Sequence, residues 1–422
     1  KNSTMMIKKV REGRIPFAIL ILMLAFIFHS FPRYGVMFPS SVYALIVVIL
    51  AFYLFCKIVP QERKVLLCLF SVFILEIVIN SFIKSFNIVL QDISNLLQNM
   101  IPAMMAMLLV RKRCFNSAKI ILGFYLLRIL ITMVTTIIGL QIFPGASRDL
   151  GNGEFVAKSP LYPVYLSLNI GGFDFVYTIV LLIPIVCYLL RYSSEFKKAT
   201  TLKLIAALLL VFCMYCILKM EYTTALLFSV LASTSLFATI KTNIRKYLIF
   251  VFAIGVFFYL SKGILAQGLE YMSTMVESDE IAVRLSDMAN SILGQATSEV
   301  SDVDARQDVY ATSLNAIESN PLGAWFTSSK IGGGHSFILD YIAKYGPIGL
   351  ILIICMLRIV YKEFLKPYSG KEIYHFLVLE YFLFIATAVM NPHLYLDYMA
   401  FVIPLFFYVS NNYKKSKNAL SL

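Results

Sequence analysis

Phe173-Asp-Phe-Val-Tyr-Thr-Ile-Val-Leu-Leu-Ile-Pro-Ile-Val-Cys-Tyr-Leu-Leu-Arg191 decides the fold class. It is long enough to cross a bilayer core as a helix, which takes ~20 apolar residues. Its only charges stand near its ends, and the basic run Arg191 to Lys203 follows it. Stretches of the same kind recur along the whole chain. The reading gives twelve spans, at about 15–31, 41–60, 64–83, 90–110, 118–141, 173–191, 202–219, 222–240, 245–263, 336–360, 374–391 and 394–412. Composition agrees. Of 422 residues, 59% are hydrophobic and only 14% charged, against roughly 25% charged in soluble domains, and mean hydropathy is +0.79. A soluble enzyme, a disordered chain and a fibrous repeat are excluded. Helices or closed barrels alone satisfy their backbone in lipid, so the expected fold is an all-α integral membrane protein, a polytopic bundle of about 12 transmembrane helices forming one domain over 1–422.

The net charge of +13 reads as a topology signal, not a nucleic-acid footprint. With the spans above, 24 of the 37 Lys and Arg fall on one side, ten on the other and three inside spans. The basic side faces the cytoplasm by the positive-inside rule. Both termini are then cytoplasmic, and two long loops, 142–172 and 264–335, lie outside. Lys1-Asn2-Ser3-Thr4 is set apart from this reading, because Met5-Met6-Ile7-Lys8-Lys9 has the look of a native start. The seven Cys sit in spans or at their cytoplasmic ends, which leaves the outer loops without a disulfide. The four His lack ligand spacing, and no metal site is expected.

The larger loop carries ten carboxylates and the arginines Arg284 and Arg306. Within it, 304–318 reads as an amphipathic surface helix. Val309, Leu314 and Ile317 form its apolar side, with Arg306, Tyr310 and Ser313 on an adjoining face. Gly332-Gly-Gly-His335-Ser336 then precedes a span. Ser336 is the expected N-cap. Two readings of the glycines stand equal: a backbone shaped to approach a ligand, with His335 held neutral by the helix dipole as a proton acceptor, or a plain loop end. The smaller loop holds Arg148. Arginines outside run against the charge bias, and Arg grips phosphate oxygens bidentately; salt bridges to nearby acids or lipid head groups are the bland alternative, preferred for Arg284. Of the intramembrane charges, Glu76 and Arg128 are expected to pair, and Lys219 and Glu221 to border a cavity at an outer boundary.

The run Arg306-Gln-Asp-Val-Tyr310, Asn320-Pro-Leu-Gly323, Gly334-His335-Ser336 and Tyr345-Gly-Pro-Ile-Gly-Leu350, together with Ser147-Arg148-Asp-Leu-Gly151 in the earlier loop, resembles the signature region of bacterial O-antigen ligases and Wzy-type polysaccharide polymerases. The motif region spans about 45 residues; the rest matches in layout. Two departures stand out. Glu221-Tyr222-Thr223-Thr224 lacks the family's Arg, for which Lys219 is a doubtful substitute, and Ser336 replaces the usual Asn. The resemblance implies a GT-C-like, metal-independent and cofactor-free glycosyltransferase. It would take undecaprenyl-diphosphate-linked oligosaccharide as donor and acceptor outside the cytoplasmic membrane of a bacterium, with membrane lipid and a chain-length regulator as candidate partners. Arg148 and Arg306 would take the departing diphosphate, with Arg284 a weaker third. His335 would accept the acceptor's proton, and Tyr310 would position sugar rings. The alternatives are a ligase that uses a different acceptor, a lipid-linked oligosaccharide flippase or solute transporter, and an envelope scaffold.

Overall fold

A computed structural model describes residues 13–30, 39–150, 158–196, 199–236, 262–276, 279–293, 303–327, 331–369, 371 and 373–418. Among them there are helices and no strands. The membrane-side helices are α1 (Phe17–Ser30), α2 (Ser40–Lys57), α3 (Pro60–Leu69), α4 (Ser71–Ile83), α5 (Phe86–Arg111) and α6 (Phe115–Ile142). Two short helices, α7 (Ala146–Asp149) and α8 (Tyr162–Ser167), fall in the first long loop. There follow α9 (Phe173–Arg191), α10 (Ala199–Met220) and α11 (Thr223–Ser233). The stretch 264–335 holds α12 (Lys262–Met275), α13 (Asp279–Leu293) and α14 (Val303–Ser319). Then come α15 (Phe337–Val360), α16 (Tyr374–Met390), a π-helical turn at Tyr398–Val402 and α17 (Ile403–Asn418). The span expected at 245–263 lies almost wholly outside the described residues.

Four of these helices, α5, α6, α9 and α10, are long and apolar enough to cross a membrane, five if the bent pair α3–α4 counts as one. The protein is therefore an all-helical, membrane-embedded chain. A helix that is apolar all round must face either protein or lipid, and both occur. The apolar stretch of α9 is 72% buried and that of α10 only 22%, so α9 is the core helix and α10 a peripheral one. Leu45, Val48 and Phe52 on α2 and Leu204, Leu208 and Val211 on α10 are exposed, two greasy faces suited to lipid and not to water.

Three sequence expectations change. The span at 64–83 is broken, with α3 and α4 meeting at a 68° bend. Beside the bend, the Val72 carbonyl in the first turn of α4 accepts a 2.7 Å hydrogen bond from the Tyr341 hydroxyl of α15. Glu76 and Arg128 do not pair. Glu76 accepts from Lys344 Nζ at 3.1 Å, while Arg128 donates to Asn169 Oδ1 at 2.7 Å and lies over the Phe28 ring. Both partners come from elements distant in sequence. The larger loop carries three described helices in place of one; α12 and α13 pack on each other around Ala266, Leu269, Leu285 and Ala289.

α15 is kinked. Pro347 cannot donate to the carbonyl one turn back, and Gly346 takes φ +56°. The Asn320-Pro-Leu-Gly323 turn is seated in that kink. A Cβ on Gly323 would lie 2.6 Å from the Gly346 nitrogen, and one on Gly346 would lie 2.4 Å from the Leu322 carbonyl carbon. Both glycines have positive φ, so the two turns touch backbone to backbone. Trp325 covers the contact, its indole donating to the Leu322 carbonyl at 2.7 Å and its ring meeting Tyr345 edge-on. Gly346→Ala and Gly323→Ala are each expected to cost at least ~1–3 kcal/mol, read as a lowered Tm of the detergent-solubilised protein. An exposed control, Gly268→Ala, which meets nothing within 4 Å, leaves the Tm within a degree or two.

Candidate functional site

One end of the bundle gathers the C-termini of α6, α10 and α16 and the N-termini of α9, α11 and α15. The opposite end carries a basic rim: Arg111 bonds Glu62 at 2.9 Å and Arg191 bonds the Leu236 carbonyl at 3.3 Å. The polar chemistry lies at the first end.

The loop bearing Arg148 is fastened to α6 by a small network. Asn169, itself at φ +54°, donates to Thr132 Oγ1 and Thr135 Oγ1 at 3.0 and 2.9 Å and accepts from Arg128. Thr136 takes the Gly171 amide at 2.7 Å, and Ser147 donates to the Gly171 carbonyl at 2.7 Å. Tyr165 faces Asp149 at 3.5 Å; burial first, then that carboxylate, holds its phenol above its ordinary pKa. The network fixes both the short helix with Arg148 and the start of α9 with Asp174 in its first turn, where a carboxylate suits the helix dipole. Tyr222, at the sharp α10–α11 turn, donates to the Ser147 carbonyl at 2.8 Å and lies within electrostatic range of both Arg148 and Asp174.

Asp174 leads onward. His393 Nε2 sits 3.6 Å from Asp174 Oδ1, and the Tyr395 hydroxyl donates to the same oxygen at 3.4 Å. Phe173 meets both Tyr222 and His393, with ring centroids 5.8 and 5.9 Å away. His393 also lines a small cleft of about 100 Å³ with Phe73, Asn99, Phe337, Pro392, Leu394 and Leu396.

The loop helix closes the arrangement. Tyr310 donates to the Met390 carbonyl at 3.2 Å, and the next residue's carbonyl, that of Asn391, accepts from the Phe337 amide at 2.8 Å. Ser313 donates to Asp340 Oδ1 at 2.6 Å while accepting from the Gly333 amide at 3.0 Å. Asp340 Oδ2 takes the Ser336 amide at 3.3 Å, and the Ser336 hydroxyl caps α15 through the Leu339 amide at 3.1 Å. The expected cap is thus present. The glycines do make a close approach, but to protein: a Cβ on Gly333 would fall 2.1 Å from Val309 Cγ1, and one on Gly332 2.4 Å from Asp340 Oδ1. The docked face of α14 is the one with Tyr310 and buried Ser313, while Leu314 of the expected apolar side is exposed.

His335 is exposed immediately before the Ser336 cap. Arg306 is one turn before Tyr310 on α14 and Arg284 is on α13, and both side chains lie outside the described residues. Lys219 is exposed, its ammonium 6.0 Å from the Tyr215 ring on the same helix. It is turned away from the α10 face on which Cys213, Cys216 and Met220 are buried. Glu221 takes φ +60° at the turn after α10. Arg148, Tyr310 and His335 therefore share one end of the bundle, whereas Lys219 joins none of the contacts made there. The sequence reading passed over Asp174, Tyr222, Asp340 and His393, each of which gains its meaning from a partner far along the chain. Asp174 alone left a local signal, a carboxylate in the first turn of a span. Among the described residues no group of three His, Cys, Asp or Glu is placed to hold a metal ion.

Comparison with models of known protein families and with curated proteins finds no match to this chain.

Ser313→Ala leaves the Gly333 amide and one Asp340 oxygen without their partner, at ~1–3 kcal/mol. Limited proteolysis between residues 327 and 336 is expected to accelerate several-fold, and Ser313→Thr, which keeps the hydroxyl, to restore most of the protection.

Proposed function

We propose that the chain is a polysaccharide polymerase of the bacterial envelope. It joins oligosaccharide repeat units carried on undecaprenyl diphosphate by glycosyl transfer on the outer side of the cytoplasmic membrane. The observation that carries this reading is the shared location of Arg148, Tyr310 and His335 at the end of the bundle opposite the basic rim, within the motifs that resemble ligases and Wzy-type polymerases. The positive-inside rule assigns the basic rim to the cytoplasm and so turns the site outward.

The chemistry follows from the charges. An acceptor hydroxyl attacks the anomeric carbon of the donor. The carbon–oxygen bond to the carrier breaks, and its electron pair departs with the diphosphate. That leaving group needs no acid, but its developing charge needs cations aimed at it. Arg148 takes that role together with Arg306, and Arg284 is the weaker third candidate. The hydroxyl proton passes to His335, which is exposed immediately before the Ser336 cap. Tyr310 positions sugar near the Met390 carbonyl. The donor is already activated, so the reaction requires no nucleotide, metal or cofactor. Lys219 and Glu221 border the site on the α10 side, and Lys219 reaches it only by swinging off Tyr215. A chain-length regulator would meet the helices of 264–335.

A flippase would concentrate charge along the bundle interior for transport. Here Glu76, Arg128 and Asp92 are tied to Lys344, Asn169 and Asn80, whereas Glu380 is buried in the bundle with both carboxylate oxygens unpartnered among the described residues; intramembrane charge therefore does not separate the two, and the outer-loop motifs favour the enzyme. A ligase would share every step and differ only in its acceptor.

Reconstituted protein given one purified lipid-linked repeat unit is expected to yield a ladder of products. A single transfer to another acceptor would instead mark a ligase, and transport without new bonds a flippase. Arg148→Ala should abolish extension at normal membrane levels, with Arg148→Lys recovering a part, because the bidentate grip is lost. Wild-type ladders from Arg148→Ala would remove that residue from the site.

A further inference from the structure

The cleft beside His393 is unused by the scheme above. It opens between α4, α5, the start of α15 and the 391–397 loop, and its volume of about 100 Å³ is below the ~300–1,000 Å³ of sites for drug-sized ligands, a size that admits one small ring at most. Its lining divides in two. Phe73 and Phe337, with ring centroids 6.1 Å apart, supply apolar faces together with Leu394, Leu396 and Pro392. Asn99 and His393 supply polar groups. Among the described residues the lining contains no Lys or Arg, and a carboxylate, Asp174, stands behind the imidazole. Nearby, the buried Asn391 side chain has an amide nitrogen with no hydrogen-bond partner in the protein. Such a donor costs free energy unless a ligand or water meets it.

An apolar platform facing a few amide and imidazole groups matches a pyranose ring, which has a carbon–hydrogen face and a hydroxyl rim. A ring bearing a carboxylate or phosphate finds no cation here and meets Asp174 instead. We propose that this cleft is a binding subsite for an uncharged pyranose, with His393 and Asn99 hydrogen-bonding its hydroxyls and Asp174 holding the His393 ring by its Nε2 edge. The assignment rests on the glycan reading above and gives it a substrate class: the repeat unit places a neutral sugar in this cleft, next to the diphosphate site.

The test is binding, not turnover. Protein in phospholipid nanodiscs, free of sugar-headed detergent, is titrated with neutral methyl hexopyranosides and with methyl glucuronide, and saturation transfer to the ligand protons is followed by NMR. Neutral pyranosides are expected to bind at millimolar strength, at least tenfold tighter than the glucuronide. His393→Ala and Asn99→Ala should each weaken them about tenfold, with Tm checked on every variant. Asn99→Ser serves if Asn99→Ala melts early, and His393→Gln if His393→Ala does. No saturable binding by the wild type, equal binding of the glucuronide, or variants that bind as the wild type does would each overturn the subsite. A product ladder from lipid-linked repeats without sugar binding here would sink the subsite and spare the polymerase; sugar binding without a ladder would do the reverse.

Discussion

A helix that stops inside an apolar layer leaves amides and carbonyls that no water can reach, and they must be met from elsewhere in the protein. The architecture of the site end follows from meeting that demand. At the α3–α4 break the Ser71 hydroxyl donates to the Cys68 carbonyl. The start of α9 borrows Thr136 and Ser147. The start of α15 takes Ser336 from its own chain and Asp340 from its own first turn. Each of these bonds is also a positional constraint, so the same groups that make interruption tolerable decide where Arg148, Asp174 and the 331–336 segment lie.

The kink at Gly346 illustrates the complementary, steric side. A proline there makes a continuous helix expensive, and a glycine makes the alternative affordable. The space opened is filled by another glycine turn, with Trp325 as its cover. Motif residues that invite a catalytic reading, Asn320 to Gly323 and Gly346 to Gly349, are explained by backbone approach. Their role toward substrate is indirect, through the placement of α14 against α15.

What the sequence made legible were the features encoded locally. Long apolar runs marked α5, α6, α9 and α10, because burial in lipid demands hydrophobicity at every position of a run. The Ser336 cap and the 304–318 helix were readable because caps and amphipathic spacing act over three or four residues. The partners of Glu76 and Arg128 were not, since Lys344 and Asn169 lie 268 and 41 residues away, and charge alone does not say which of several neighbours is reached. His393 offered no spacing cue at all: it gains an electrostatic neighbour only when α9 and the 391–397 loop are brought side by side. The bend at Phe70 likewise left no proline or glycine to announce it.

Tyr310 and Ser313 fasten α14 at two points, one to the end of α16 and one to the beginning of α15, and the Phe337–Asn391 bond ties those two ends together. The cleft wall and the loop helix are in this sense one lever. A guest that spreads Phe337 from the 391–397 loop strains the bonds that hold α14, the helix that carries Arg306. Occupancy at one end of the reach is thereby mechanically legible at the other, with no separate messenger between them.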